Sequence, residues 1–165
     1  MVGEISIEDV LKPYGSYYNN FDQAQQKIWG LWSSELPKRI AMIKNNLKEL
    51  SDKIRSWQNV FYFSLLMSAV IPIVVGILKE TQDWSNYALL LDAVFPAVVG
   101  VVQKIQEKCS NDRKVYASVS FSYDQLLFEI IQDIDRGEYI EKEDIHRGKW
   151  KKLEKILLDK GLSYA

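Results

Sequence analysis

The sequence predicts an all-α protein: a two-helix transmembrane hairpin whose helices extend into a cytoplasmic antiparallel coiled-coil stalk, with short helices at the N and C termini. Three observations predict it. Residues 60–78 contain no charged side chain, and at roughly 1.5 Å per residue they span about 28 Å as a helix, close to the ~30 Å hydrocarbon thickness of a bilayer. After a polar patch, 79–86, a second apolar run covers 87–102, about 24 Å by the same rise, and its one charge is Asp92. Before the first run, Leu36, Ile40, Ile43, Leu47, Leu50, Ile54, Trp57 and Phe61 recur at alternating spacings of four and three. That is the seam of a coiled coil.

Taken in order, residues 1–35 form a polar, aromatic-rich segment. Ser6-Ile-Glu-Asp9 fits a helix-start pattern, and Pro13 with Gly15 marks a break. Asn19 or Asn20 is the expected cap of a helix over 21–34, with Ile28, Leu31 and Trp32 as its apolar side. The rings of Tyr14, Tyr17, Tyr18, Phe21, Trp29 and Trp32 have two readings, anchoring at lipid headgroups or packing on the rest of the chain.

One continuous helix is expected from Leu36 to Leu78, with Pro37 tolerated in its first turn. A soluble core helix is seldom apolar on every side over 60–78, which favours lipid over a buried bundle. The apolar run starts only at Val60, so no cleaved leader is expected and the first membrane helix acts as its own insertion signal. The two runs share a pattern: Ser68-Ala-Val-Ile-Pro72-Ile-Val-Val-Gly76 against Asp92-Ala-Val-Phe-Pro96-Ala-Val-Val-Gly100. Pro and small residues are tolerated in membrane helices, where neighbours satisfy the freed backbone groups. Pro72 and Pro96 read as hinges or as static kinks, and Gly76 and Gly100 as points of close helix packing. Asp92 either lines a water-filled pore or is hydrated near the outer interface.

After the second run the seam resumes at Ile105, Cys109, Tyr116, Val119, Tyr123, Leu126 and Ile130. A hairpin would set this helix beside the first, with Trp57 near Cys109 and Leu36 near Leu126 or Ile130. Leu127, Ile131 and Ile134 are left over for oligomer contacts. Residues 124–144 are acidic, Gly137 is the expected helix stop, and 141–165 form a basic amphipathic tail. Trp150, Lys151, Lys152 and Lys155 are its candidates for a membrane surface; docking on the acidic stretch and a plainly solvated face are the other readings.

Basic residues flank the membrane runs at Lys44, Lys48, Lys53 and Arg55, and again at Lys104, Lys108, Arg113 and Lys114. The positive-inside rule therefore predicts both termini in the cytoplasm and the loop outside, with Trp84 and Tyr87 at the outer interface. A net charge of −1 gives no general attraction to nucleic acid. One cysteine, Cys109, excludes an internal disulfide, and one histidine, His146, argues against a histidine metal site and reads as solvated. No nucleophile motif or phosphate loop is present, so neither an enzyme nor a cofactor is expected.

The arrangement over 36–140 resembles the SLATT family, two-transmembrane effectors associated with SMODS nucleotidyltransferases and SLOG nucleotide-sensing proteins. The likeness is carried by the long amphipathic helix entering the first run, by Ser68-Ala-Val-Ile-Pro72, and by the stretch from Asp112-Arg113-Lys114-Val115-Tyr116 through Phe128-Glu129 to Tyr139. The resemblance implies a homo-oligomer in the bacterial inner membrane that disrupts the bilayer in a defence response. It also implies a cytoplasmic nucleotidyltransferase or nucleotide-sensing partner. A passive anchor recruiting a partner through its stalk, and a holin-like lysis protein, are the competing expectations.

Overall fold

A computed structural model describes residues 4–78 and 85–159, and every regular element among them is helical. The order is α1 (Ile7–Leu11), a 3₁₀ turn (Lys12–Tyr14), α2 (Gly15–Tyr18), α3 (Gln23–Trp32), α4 (Glu35–Leu78), α5 (Ser85–Asp135) and α6 (Tyr139–Asp159). Two compact units divide the chain. One combines Met1–Glu49 with Arg113–Ala165; the other is Leu50–Asp112. The terminal segments 1–35 and 141–165 thus share a unit with the ends of the two long helices.

In the first unit, α1 starts where its cap pattern lies: the Asp9 N–H donates to Ser6 Oγ (3.2 Å) and the Ser6 N–H donates to Asp9 Oδ2 (2.9 Å). The Ile5 N–H donates to Asn45 Oδ1 (2.9 Å) and the Asn45 amide returns a bond to the Ile5 carbonyl (3.2 Å), which ties the N-terminal segment to α4. The cap of α3 is Asp22, not Asn19 or Asn20. Asp22 has the extended backbone that a cap requires (φ −69°, ψ 175°) and exchanges bonds with Gln25 in a second capping box. Asn19 is already helical, and the Asn20 amide donates back to the Ser16 carbonyl.

The apolar side of α3 is also turned from the expected one. Trp29 and Trp32 are buried, whereas Leu31 is 61% exposed. Aromatic partners decide the rotation: Tyr18 stacks on Trp29 at 5.6 Å, Phe21 meets the same ring edge-on, and Trp32 lies 5.5 Å from Trp150. The aromatic-rich N-terminal segment therefore packs on its own chain.

Leu36, Ile40 and Ile43 of α4 and Tyr116, Val119, Tyr123, Leu126 and Ile130 of α5 are buried, whereas Leu47, Leu50, Ile54, Trp57 and Ile105 of the same pattern are half-buried. Lys44 Nζ reaches Asp124 Oδ1 at 2.9 Å across the two helices. Leu127, Ile131 and Ile134, expected to remain free for oligomer contacts, are buried as well. The N-terminal segment packs nearby: Tyr14 and Tyr17 set their rings 6.2 Å and 6.3 Å from Phe128, and the Gln25 amide donates to the Ile134 carbonyl. A free face in a helix pair is thereby consumed by a third layer.

α5 ends in a Schellman motif. Gly137 has φ +75°, its N–H donates to the Ile134 carbonyl (3.1 Å), and the Glu138 N–H donates to the Asp133 carbonyl (2.8 Å). The turn sends the chain into α6, which starts at Tyr139, two residues before the expected tail. Its buried residues Tyr139, His146, Leu153 and Leu157 form one stripe at heptad-like spacing.

In the second unit the described segments are 50–78 and 85–112. Ser64 and Val102 are buried there, and Phe61, Ser68 and Ile71 are half-buried. The alternation of four and three thus continues past Phe61 through 64, 68 and 71. Pro72 and Pro96 lie inside α4 and α5. Cys109, expected to be buried on the seam, is only half-buried. A Cβ added at Gly76 or Gly100 would meet nothing within 4 Å, so neither glycine serves a close contact among the described residues. Residues 79–84, with Trp84, lie outside the described residues.

Gly137→Ala should destabilise the first unit by about 1–2 kcal/mol, because an L side chain resists the left-handed conformation. Asp22→Ala should cost about 1 kcal/mol and Asn19→Ala much less. Midpoints of chemical denaturation read both; equal losses at Asp22 and Asn19 would contradict the cap assignment.

Candidate functional site

Two features stand out, one in each unit. In the second unit the apolar side chains point outward. Tyr62, Phe63, Leu66 and Ile73 are each more than 60% exposed, and Val94 and Val101 about half exposed. A single stretch among the described residues, Gln23–Val74, is long and apolar enough to cross a bilayer, and only 6% of its 18-residue apolar window is buried. The core helix of a soluble protein would be covered by its own chain. An uncovered apolar surface of this extent needs a partner of the same kind, lipid or protein.

The residues singled out from the sequence fall on this surface in part. Pro72, Gly76, Pro96 and Gly100 are exposed on α4 and α5. Asp92 belongs to the helical backbone of α5, but its side chain lies outside the described ones, as do those of 85–91.

The second feature is a charged node in the first unit, where α5 ends and α6 folds back. Asp133 is buried. Its Oδ1 accepts from Lys142 Nζ at 2.8 Å and its Oδ2 faces His146 Nε2 at 2.9 Å. A carboxylate only accepts, so Nε2 carries the hydrogen. Nδ1 of the same ring is buried with no partner among the described residues. Tyr139 stacks on the imidazole at 5.9 Å, and its hydroxyl accepts from Trp32 Nε1 at 2.7 Å. His146 is therefore 2% exposed and not solvated. The missed signal was its place on the Tyr139–Leu153–Leu157 stripe, since a residue one heptad from two core positions faces the core whatever its polarity.

Burial pushes the Asp133 carboxyl up, but the hydrogen bonds from Lys142 and His146 outweigh it and hold it below the ordinary aspartate value of 3.8. Burial likewise raises the Tyr139 phenol, with the Trp32 bond opposing. Lys142 also holds Glu138, and Lys149 pairs with Glu129, so α6 docks on the acidic end of α5 through three basic side chains. Glu154 binds the Tyr123 hydroxyl (2.9 Å) and stands 3.6 Å from Arg39, joining α6 to both long helices.

Of the tail candidates, Trp150 is half-buried and packed against Trp32 and Tyr123. Lys151, Lys152 and Lys155 are exposed. Among the described residues no group of three or more His, Cys, Asp or Glu side chains could hold a metal ion. Both oxygens of the Asp133 carboxylate are paired with side chains of α6, an arrangement that holds that helix against the end of α5. Searches against protein-family models, curated proteins and solved structures returned no match to this chain.

Asp133 titrates lower in the folded protein than unfolded, so its contribution is fully present above about pH 4 and lost as pH falls through the lowered value. Asp133→Asn should destabilise the protein by about 1–3 kcal/mol at pH 7, with the deficit shrinking towards pH 2. A deficit independent of pH would contradict the assignment.

Proposed function

We propose that this protein is an integral membrane effector that oligomerises and opens the bilayer. The observation that carries this reading is the apolar window of α4, of which only 6% is buried by the protein itself. In water that surface would drive aggregation; in hydrocarbon it needs no other cover.

The finer arrangement is a hairpin. The first crossing runs over about 60–78 and the second over about 87–102. The helical ends of α4 and α5 form an antiparallel cytoplasmic stalk, and both termini are cytoplasmic. Supporting it are the four-and-three alternation that runs on through Ser64, Ser68 and Ile71, the apolar exposure of Val94 and Val101, and the flanking basic residues. Within an oligomer Asp92 would face a water-filled lumen, where an ionisable group is tolerated. The resemblance to two-transmembrane defence effectors adds a role: perforation of the bacterial inner membrane on a signal from a nucleotidyltransferase or nucleotide-sensing partner. The competing role is a closed anchor that recruits such a partner through its helical stalk.

Liposomes loaded with a small fluorescent dye and reconstituted with the purified oligomer should leak. Vesicles that stay sealed around a correctly assembled oligomer, with the activating partner present, favour the anchor. Asp92→Leu should change single-channel conductance several-fold; an unchanged value removes Asp92 from the lumen. Gly100→Ala should stabilise α5 by roughly 0.5–1 kcal/mol if Gly100 faces lipid, and should weaken assembly if a second copy packs there. Thermal unfolding and cross-linking of the same sample separate the two.

A further inference from the structure

α6 carries two sets of charges. One set is consumed inside the chain: Lys142 and His146 on Asp133, Lys149 on Glu129, Arg147 on Glu143. The other set is Glu141, Asp144, Lys151, Lys152, Lys155 and Asp159, all exposed and none in an ion pair among the described residues, with Lys152 beside a shallow groove. Buried Tyr139, His146, Leu153 and Leu157 fix which way the helix faces. At about 100° per residue, Glu141, Asp144, Lys152 and Lys155 lie within roughly 40° of Gly148, on the opposite side from that stripe, with Asp159 on the same strip at the helix end and Lys151 about 60° to one side.

The order of Glu141, Asp144, Lys152 and Lys155 along the helix is palindromic with the sign inverted. Glu141 and Lys155 stand seven residues either side of Gly148, and Asp144 and Lys152 stand four either side. An antiparallel copy of the same helix, crossing at Gly148, sets each acid opposite a lysine. Such an isologous contact repeats every pairing twice, as a twofold axis requires. Gly148 has the open space for it, since a Cβ there would meet nothing within 4 Å of its own chain. Apolar side chains flank the charged strip: Ile140 is 78% exposed, Ile145 56% and Leu158 60%.

We infer that the outward face of α6 is a self-association surface that pairs antiparallel with α6 of a second copy of this chain, Glu141 to Lys155 and Asp144 to Lys152, about a crossing point at Gly148. The contact belongs to the first unit alone and does not depend on the bilayer reading. Sealed liposomes leave it standing, and its loss leaves the membrane argument standing.

The test is disulfide trapping of the full-length protein in detergent, in a Cys109→Ser background. Gly148→Cys should form a disulfide-linked dimer under mild oxidation far faster than Asp135→Cys, an exposed control on α5. Glu141→Cys mixed with Lys155→Cys should cross-link as a pair, and each alone should not. Reversing one half of the strip, with Lys152→Glu and Lys155→Glu, should slow the Gly148→Cys reaction by about tenfold, because like charges then face each other. Adding Glu141→Lys and Asp144→Lys rebuilds the palindrome with its signs exchanged and should restore the rate to within about threefold. The inference is overturned if Gly148→Cys reacts no faster than the control, if the reversal has no effect, or if the fourfold variant stays slow while its circular dichroism matches the parent.

Discussion

Apolar surface that the chain cannot cover is the constraint on which the rest depends. The second unit consists of two helical segments, and two helices can hide only a stripe of each other. Ser64 and Val102 are buried there; Tyr62, Phe63, Leu66 and Ile73 are not. At roughly 25 cal/mol per Å² of apolar area, side chains of this size each cost on the order of 2 kcal/mol to leave in water. A dozen of them would exceed the net stability of an ordinary domain. A hydrocarbon surrounding would remove that cost.

The first unit solves the opposite problem. It lives on layers: the N-terminal aromatic segment lies on one side of the long helices and α6 on another. The second layer depends on a sharp reversal, so Gly137 and Asp133 belong to one device. The turn at Gly137 lets the chain double back. Asp133 then closes it at two levels, through its carbonyl in the helix-ending motif and through its carboxylate to Lys142 and His146. Burying that carboxylate is tolerable because both oxygens are paired. Trp150 completes the layer between Trp32 and Tyr123.

Charge on α6 is divided by the same geometry. The side facing α5 spends its lysines on the acidic helix end. What remains on the outward side is an ordered acid-to-base strip around a glycine, and its symmetry becomes visible only once the buried stripe fixes the helix rotation. From composition alone the tail reads as a basic helix seeking an anionic surface. The fold leaves Lys151, Lys152 and Lys155 exposed but takes Trp150, the expected membrane anchor, into contacts within the chain.

Local and periodic signals were enough for the helices themselves, for the cap at Ser6 and for the stop at Gly137, because each depends on residues within a turn or two of one another. The bare apolar window was likewise legible, since its length and composition are read directly along the chain. Side-chain fates set by distant neighbours were not. Leu127, Ile131 and Ile134 are buried because the chain's first thirty-odd residues supply a further layer, and His146 is buried because α6 folds back onto α5. Asp22 takes the cap from Asn19 because the preceding turn leaves Asn19 helical. Sequence by itself determined which segments are helical and which surface shuns water, as those follow from bonding and solvation along the chain. Only tertiary structure decided which face of each helix is spent inside the protein, because that depends on what another segment brings to it across space.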